Sequence, residues 1–350
     1  MGDGKRTDRA FIGSFTSSGG RGIVVAAVDP ATGALTEIGV IDSLPDPSYL
    51  TVDHTGPGPV LYAVSETAHG SVAAYDIAGP EPRPLGAPVA VRGDSPTHLS
   101  VVRGHVLTAN YASGSVTVLP LAADGGPRTA GDVRHYTGSG PDPARQSGPH
   151  AHQVLPDPSG RWVLGVDLGA DKVWIFSLDA QEGRLVPNGE TSLPPGTGPR
   201  HLAFHPSGSH AYVLGELDPT VTVCRWDAAA GVLEPVRTVP LFPDGTDEAV
   251  SPSAPVVSPD GRHLWAAVRG TDTITVLALD ATGEHAEPVA SVPCGGRWPR
   301  DLVLHPSGTR LYAANERSGD VTWLDLDPAT GVPRRAGSLP VPAASSVVFV

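Results

Sequence analysis

"PRHLAFHPSGSHAYVLGELD", residues 199–218, and "PRDLVLHPSGTRLYAANERSGD", residues 299–320, write one pattern twice. Each opens with Pro and Arg, runs through alternating apolar residues, turns at "PSG", alternates again and stops on Glu216 or Glu316. Alternation of period two reads as a half-buried strand, and Pro-Ser-Gly between two such runs reads as a hairpin turn. Related versions begin at Pro47, Pro96, Ala151 and Pro252, so starts lie about 45 to 55 residues apart. A period of about 40–50 residues with several short strands per unit is the signature of a β-propeller.

Each unit carries two further strands. The third is of the kind "SVTVLPL", "KVWIFSL" or "DVTWLDLD"; a turn such as "DPATG" or "DAAAG" leads to a weaker fourth. Residues 9–29 hold a second and a third strand but no first, whereas "ASSVVFV", residues 344–350, reads as a first strand with nothing after it. Joined, they make one blade and bring the total to seven. An open solenoid would not divide one unit between its two ends, and closing the ring removes exposed sheet edges. The expectation is all-β: a seven-bladed β-propeller of four-stranded blades, closed by the C-terminal strand joining the N-terminal blade. It forms a single domain over 1–350, with 1–8 as a polar extension.

Bulk properties narrow the function. The 350 residues carry 42 Gly and 37 Pro, which favours short strands and turns over long helices. The formal net charge of −13 argues against nucleic acid and anionic membrane surfaces as partners. Cys224 and Cys294 are two isolated thiols, neither a disulfide framework nor a metal knuckle. "MGDGKRTDRA" lacks the apolar core of a signal peptide, and no apolar run approaches the ~20 residues of a membrane span. A cytoplasmic protein is expected. Nothing in the pattern demands a second copy, and a monomer is compatible with it.

The start of the first strand and the end of the second lie side by side, because the two are antiparallel neighbours. Side chains at these places converge from all blades on one mouth of the central channel. The first ring reads Ser48, Thr97, His152, Arg200, Ser253, Arg300 and Ser345; the second reads Phe15, Glu66, Tyr111, Leu168, Glu216, Arg269 and Glu316. His152, Arg200, Glu216 and Arg269 come from three consecutive blades and form one chemically capable sector. The simpler alternative is that Arg200 and Glu216 are only an ion pair closing the channel. His201, Arg300, Asp301 and His150 are further substrate-binding candidates at the rim. His150 and His152 also invite a metal, but no third ligand stands at a recognisable spacing.

Other residues have structural readings. His205 and His305 precede "PSG" turns at the opposite face. Asp29, Asp179, Asp227, Asp280 and Asp327 recur at a strand end and organise turns. Trp162, Trp174, Trp226, Trp265 and Trp323 lie in strands and pack between blades. There is no G-x-S-x-G elbow and no P-loop. The segment before Ala151, "HYTGSGPDPARQSGPH", is a long loop of the kind that forms rims or lids.

"FIGSFTSSGGRGI", "GPHAHQVLPDPSGRWVLGVDLGADKVWIF", "GTGPRHLAFHPSG" and "PRDLVLHPSGTRLYAANE" resemble the lactonase family of seven-bladed propellers. That family includes propeller-type bacterial 6-phosphogluconolactonases and fungal carboxy-muconate cyclases. The resemblance implies a site of His, Arg, Glu and Arg, which falls by motif on His152 of "PHAHQ", Arg200 of "GPRH", Glu216 of "LGELD" and Arg269 of "AVRGTD". Gly215 and Val268 stand where the family usually has Asn. The implied activity is hydrolysis of an anionic sugar lactone with no metal or organic cofactor. A lactonising cycloisomerase of muconates, or a non-catalytic ligand- or protein-binding propeller, are the alternatives.

Overall fold

In a computed structural model the described residues are 9–243, 245–246 and 249–350. The polar extension at 1–8 lies outside them. Seven antiparallel sheets follow one another in chain order. Blade 1 unites Ala344–Phe349 with Arg9–Ser14, Ile23–Val28 and Leu35–Ile41, so the last strand of the chain pairs with the first. The expected weakness of the fourth strand holds only in blades 2 and 3; in blades 4 to 7 that strand runs eight or nine residues. In blade 2 this strand is split into Arg83–Pro84 and Val89–Ala90, and in blade 3 it is only Asp132–His135. Among the described residues no helix is long and apolar enough to cross a membrane.

Adjacent blades are sealed by a repeated device. An aromatic residue on the second strand of one blade reaches the outer turn of the next and donates a hydrogen bond to its backbone. Tyr62 donates to Gly125, Trp162 to Ala228, Tyr212 to Gly283 and Trp265 to Gly331, each at 2.7–2.8 Å. Tyr312 donates to Gly33 at 2.7 Å, carrying the same contact across the closure between blades 7 and 1. Burial of the ring excludes water, and the polar tip finds a partner at the end of its reach. The turn must be glycine where the ring arrives. Gly33 has φ +68, and a Cβ there would stand 2.6 Å from the Tyr312 hydroxyl. Asp29, Asp227, Asp280 and Asp327 organise four of these turns, and Asp179 another outer turn, each carboxylate accepting backbone N–H groups two to five residues on.

The innermost strands carry a second repeated device. In blades 1, 3, 4, 5 and 7 the ladder skips one residue, and the skipped residues are Ser345, Thr97, His152, Arg200 and Arg300. Blade 6 has the corresponding irregularity around Ser253. Such a bulge leaves its extra residue unpaired and re-aims the side chain. Here it turns the first ring inward. Strict alternation along these strands would place the side chains by parity alone, so the bulges matter to the site.

Candidate active site

The channel mouth gathers the two rings as the strand pairing requires. His152, Arg200, Ser48, Glu66, Thr97, Arg300 and Ser345 line a narrow cavity of about 10 Å³, together with Tyr49, His201 and Asp301. Glu216 and Arg269 flank it, and all four residues of the predicted sector are nearly inaccessible to solvent.

Glu216 is the hub. Its Oε2 accepts from Arg269 Nη2 at 2.8 Å and lies 3.1 Å from Arg200 Nε, while its Oε1 accepts from Arg145 Nη2 at 2.6 Å. The Arg200 Nε contact is an ion pair without the alignment of a hydrogen bond. Arg200 also donates through Nη1 to the Ser253 carbonyl, and Arg269 through Nε to the Ser251 carbonyl at 2.9 Å. Burial alone would push the Glu216 carboxyl up. The charges of Arg269 and Arg200 outweigh it and, with Arg145, hold the group well below the usual carboxylate range. Glu216 is therefore an ionised anchor with both oxygens committed, and the simple two-residue ion pair becomes a carboxylate among three guanidinium groups.

His152 has the opposite character. Burial first, then the neighbouring Arg200 charge, hold its imidazole well below 6.5, so the ring is neutral. Its Nδ1 has no hydrogen-bond partner among the described residues. The ring meets Tyr111 edge-on at 5.6 Å and His201 at 5.2 Å between centroids. His201 in turn meets His98 at 5.4 Å, and His98 packs on Tyr49 at 4.3 Å. Asp301 lines the same cavity, accepting from the Val347 N–H, and burial pushes it up to about 6.

Arg300 lies at the same opening in a separate sector. It bonds Glu316 at 3.0 Å, approaches Glu66 to 3.9 Å and covers the Phe15 ring. His150 is not brought into the cavity: it stacks on Tyr111 at 4.4 Å, with Nδ1 3.0 Å from the Tyr111 carbonyl. Among the described residues no group of His, Cys, Asp and Glu is arranged to hold a metal. Cys224 and Cys294 are buried thiols, each pushed up to about 12 and therefore unreactive.

Three contributors were not singled out from the sequence. Arg145 comes from the long loop before Ala151 and carries no periodic signal. His98 sits one residue past a ring position, next to the Thr97 bulge. Trp298 precedes the blade 7 strand with φ +64, a conformation that Asp46, Ser95, Gly198 and Ala343 adopt at the same point of other blades. Its indole lies against the Arg269 and Arg317 guanidinium groups. The departure at Gly215 has a steric cause: a Cβ there would collide with the Asp218 carbonyl and crowd that of Thr197.

The buried neutral histidines predict acid sensitivity. His98 is held at about 3 by burial, then by Arg200, and His201 also lies well below 6.5. Unfolded chains protonate these rings below 6.5 while the folded one does not, so stability falls as pH drops from there. Asp301 acts oppositely between 3.8 and about 6, because its folded carboxyl keeps a proton the unfolded one has lost. Each uncompensated histidine contributes about 1.4 kcal/mol per pH unit within its window. Urea midpoints should therefore decline from pH 6.5 to 5, with a shallower slope in His98→Phe; equal slopes would contradict a neutral His98.

Known proteins share this architecture in full. The family described as Lactonase, 7-bladed beta-propeller, matches residues 9–349. A 6-phosphogluconolactonase of Bacillus subtilis (strain 168) is 35% identical over 326 residues, spanning 92% of this chain and 92% of its own length. A 6-phosphogluconolactonase of Formosa agariphila is 26% identical over 92% of this chain and 93% of its own. The solved periplasmic gluconolactonase of Pseudomonas aeruginosa superposes with a TM-score of 0.91 at 29% identity, over 98% of this chain and 99% of that one. On the closed seven-blade ring, its motifs and these relatives, the chain belongs to the lactonase family of seven-bladed β-propellers.

Proposed function

We propose that the protein hydrolyses a phosphorylated sugar lactone, 6-phosphogluconolactone or a near analogue. The observation that carries this reading is the pairing of a neutral imidazole, His152, whose Nδ1 has no hydrogen-bond partner among the described residues, with a buried cation, Arg200, in one water-poor cavity. As water adds to the lactone carbonyl, negative charge gathers on oxygen, and Arg200 faces it where a fixed cation acts strongly. His152 takes a proton from the attacking water and returns it to the ring oxygen as the ring C–O bond breaks, giving the open hydroxy acid. Glu216 keeps Arg200 and Arg269 in place. His201 and Asp301 shape the cavity floor, and Arg300 supplies further attraction for an anion. No step calls on a metal or an organic cofactor.

Two relatives are 6-phosphogluconolactonases and one is a gluconolactonase, so the lactone's phosphate is the point to test. Turnover of 6-phosphogluconolactone, gluconolactone and a carboxy-muconate should be compared above their uncatalysed rates. The reading expects the first to have the highest kcat/KM; preference for the muconate would make the protein a cycloisomerase, and no turnover of any would make it a binding propeller. Because His152 is held neutral, kcat/KM should show no acid limb near 6.5 while the fold persists. A bell with a limb at that value would mean that His152 titrates as a solvated imidazole.

A further inference from the structure

Arg145 stands apart from the other cations of the mouth. Arg200 and Arg269 are buried and held by backbone carbonyls, but the Arg145 side chain is 39% exposed. Among the described residues its side chain bonds the Glu216 carboxylate and the Tyr111 hydroxyl, the latter at 3.3 Å, and both bonds use Nη2. Nη1 and Nε form no hydrogen bond among the described residues. The loop that carries it is firmly set. Gln146, fully buried, donates to the Leu168 carbonyl and to Asp171 Oδ1, both within 2.9 Å. Asp171 also accepts from the N–H groups of Gly196 and Gly198, immediately before the strand that carries Arg200. One aspartate thus ties the loop to the site, and Arg145 projects from a fixed rim with a free donor edge.

Charge points the same way. Around Glu216, three guanidinium groups face one carboxylate, leaving an excess of two positive charges on a chain whose net charge is −13. Arg200 and Arg269 already more than balance the single charge of Glu216, so Arg145 is surplus to the anchor. A guanidinium edge matches a phosphate in geometry as well as charge. We propose that Arg145 is the specificity residue of the site, receiving the phosphate of a phosphorylated lactone and distinguishing it from the unphosphorylated sugar. This rests on the lactonase reading above but has a separate test.

Binding of 6-phosphogluconate, the open-chain product, can be followed by calorimetry in the wild type, Arg145→Ala and Arg145→Lys. Arg145→Ala should weaken binding by about 10- to 100-fold, the loss expected for a charge-assisted hydrogen bond. Arg145→Lys should recover part of it. In turnover, the ratio of kcat/KM for 6-phosphogluconolactone to that for gluconolactone should fall by a similar factor in Arg145→Ala. Near-equal binding by wild type and Arg145→Ala, an unchanged ratio, or no binding by the wild type would overturn the assignment. Arg145-dependent binding without turnover of any lactone would instead keep Arg145 as the phosphate residue and remove the hydrolytic reading. Unchanged thermal melting in Arg145→Ala separates either result from misfolding.

Discussion

Replacing His152 with alanine should lower kcat for lactone hydrolysis by about 10²–10⁴-fold, the range expected for a positioned proton carrier. The fold should survive, because the imidazole is neutral and its Nδ1 makes no bond that stability depends on. The alternative carrier, Glu216, has both oxygens occupied by guanidinium groups and is held strongly acidic. A carboxylate so stabilised has little tendency to accept a proton. An imidazole depressed by burial and then by Arg200 is also a weak base, but an anionic substrate changes that balance. Negative charge placed beside Arg200 cancels part of its effect and makes the His152 imidazole more basic as the reaction needs it. Steady-state kinetics with melting curves on His152→Ala and His152→Gln would decide this. Retained turnover in a well-folded His152→Ala would move the proton to another group.

The fold was legible because each blade repeats local rules. The "PSG" hairpins, the aspartates at the outer turns and the divided terminal blade are written in short segments, and each works through its nearest neighbours in chain or ring. The aromatic bridges were only partly legible. A Trp in a strand suggests packing, but that Trp162 and Trp265 reach the next blade's turn depends on how closely the sheets stack. The ring positions could be aligned on their turns, which located His152, Arg200, Glu216 and Arg269 at one opening. What alignment could not express was the bulge. By skipping His152 and Arg200 in the ladder, it points them into the channel and lets the next residues, such as His201 and Asp301, line the same cavity. Arg145 was hidden for a different reason. It lies in an aperiodic loop whose course is set by Gln146 and Asp171, a contact across 25 residues that no spacing rule anticipates.

Glu216→Ala should destabilise the protein by about 3–5 kcal/mol, the cost of leaving buried charges without their partner. Arg200 and Arg269 would then face each other in a cavity that excludes water, with no carboxylate between them. Glu216→Gln should lie between, since the amide oxygen still accepts a bond while its charge is gone. Because the Glu216 carboxyl is more acidic folded than unfolded, its contribution is present above its ordinary value of 4.5 and is lost as pH falls through the folded value. Urea denaturation at pH 7 measures the penalty, and burial makes it only weakly dependent on salt. The same variant would leave three guanidinium groups around an anion-sized vacancy. Inorganic phosphate should bind there and raise the melting temperature of Glu216→Ala more than that of the wild type, by mass action on the folded state. A penalty under about 1 kcal/mol, or identical phosphate responses in the two proteins, would mean that the arginines are held by their backbone carbonyls and that Glu216 is not what keeps them together.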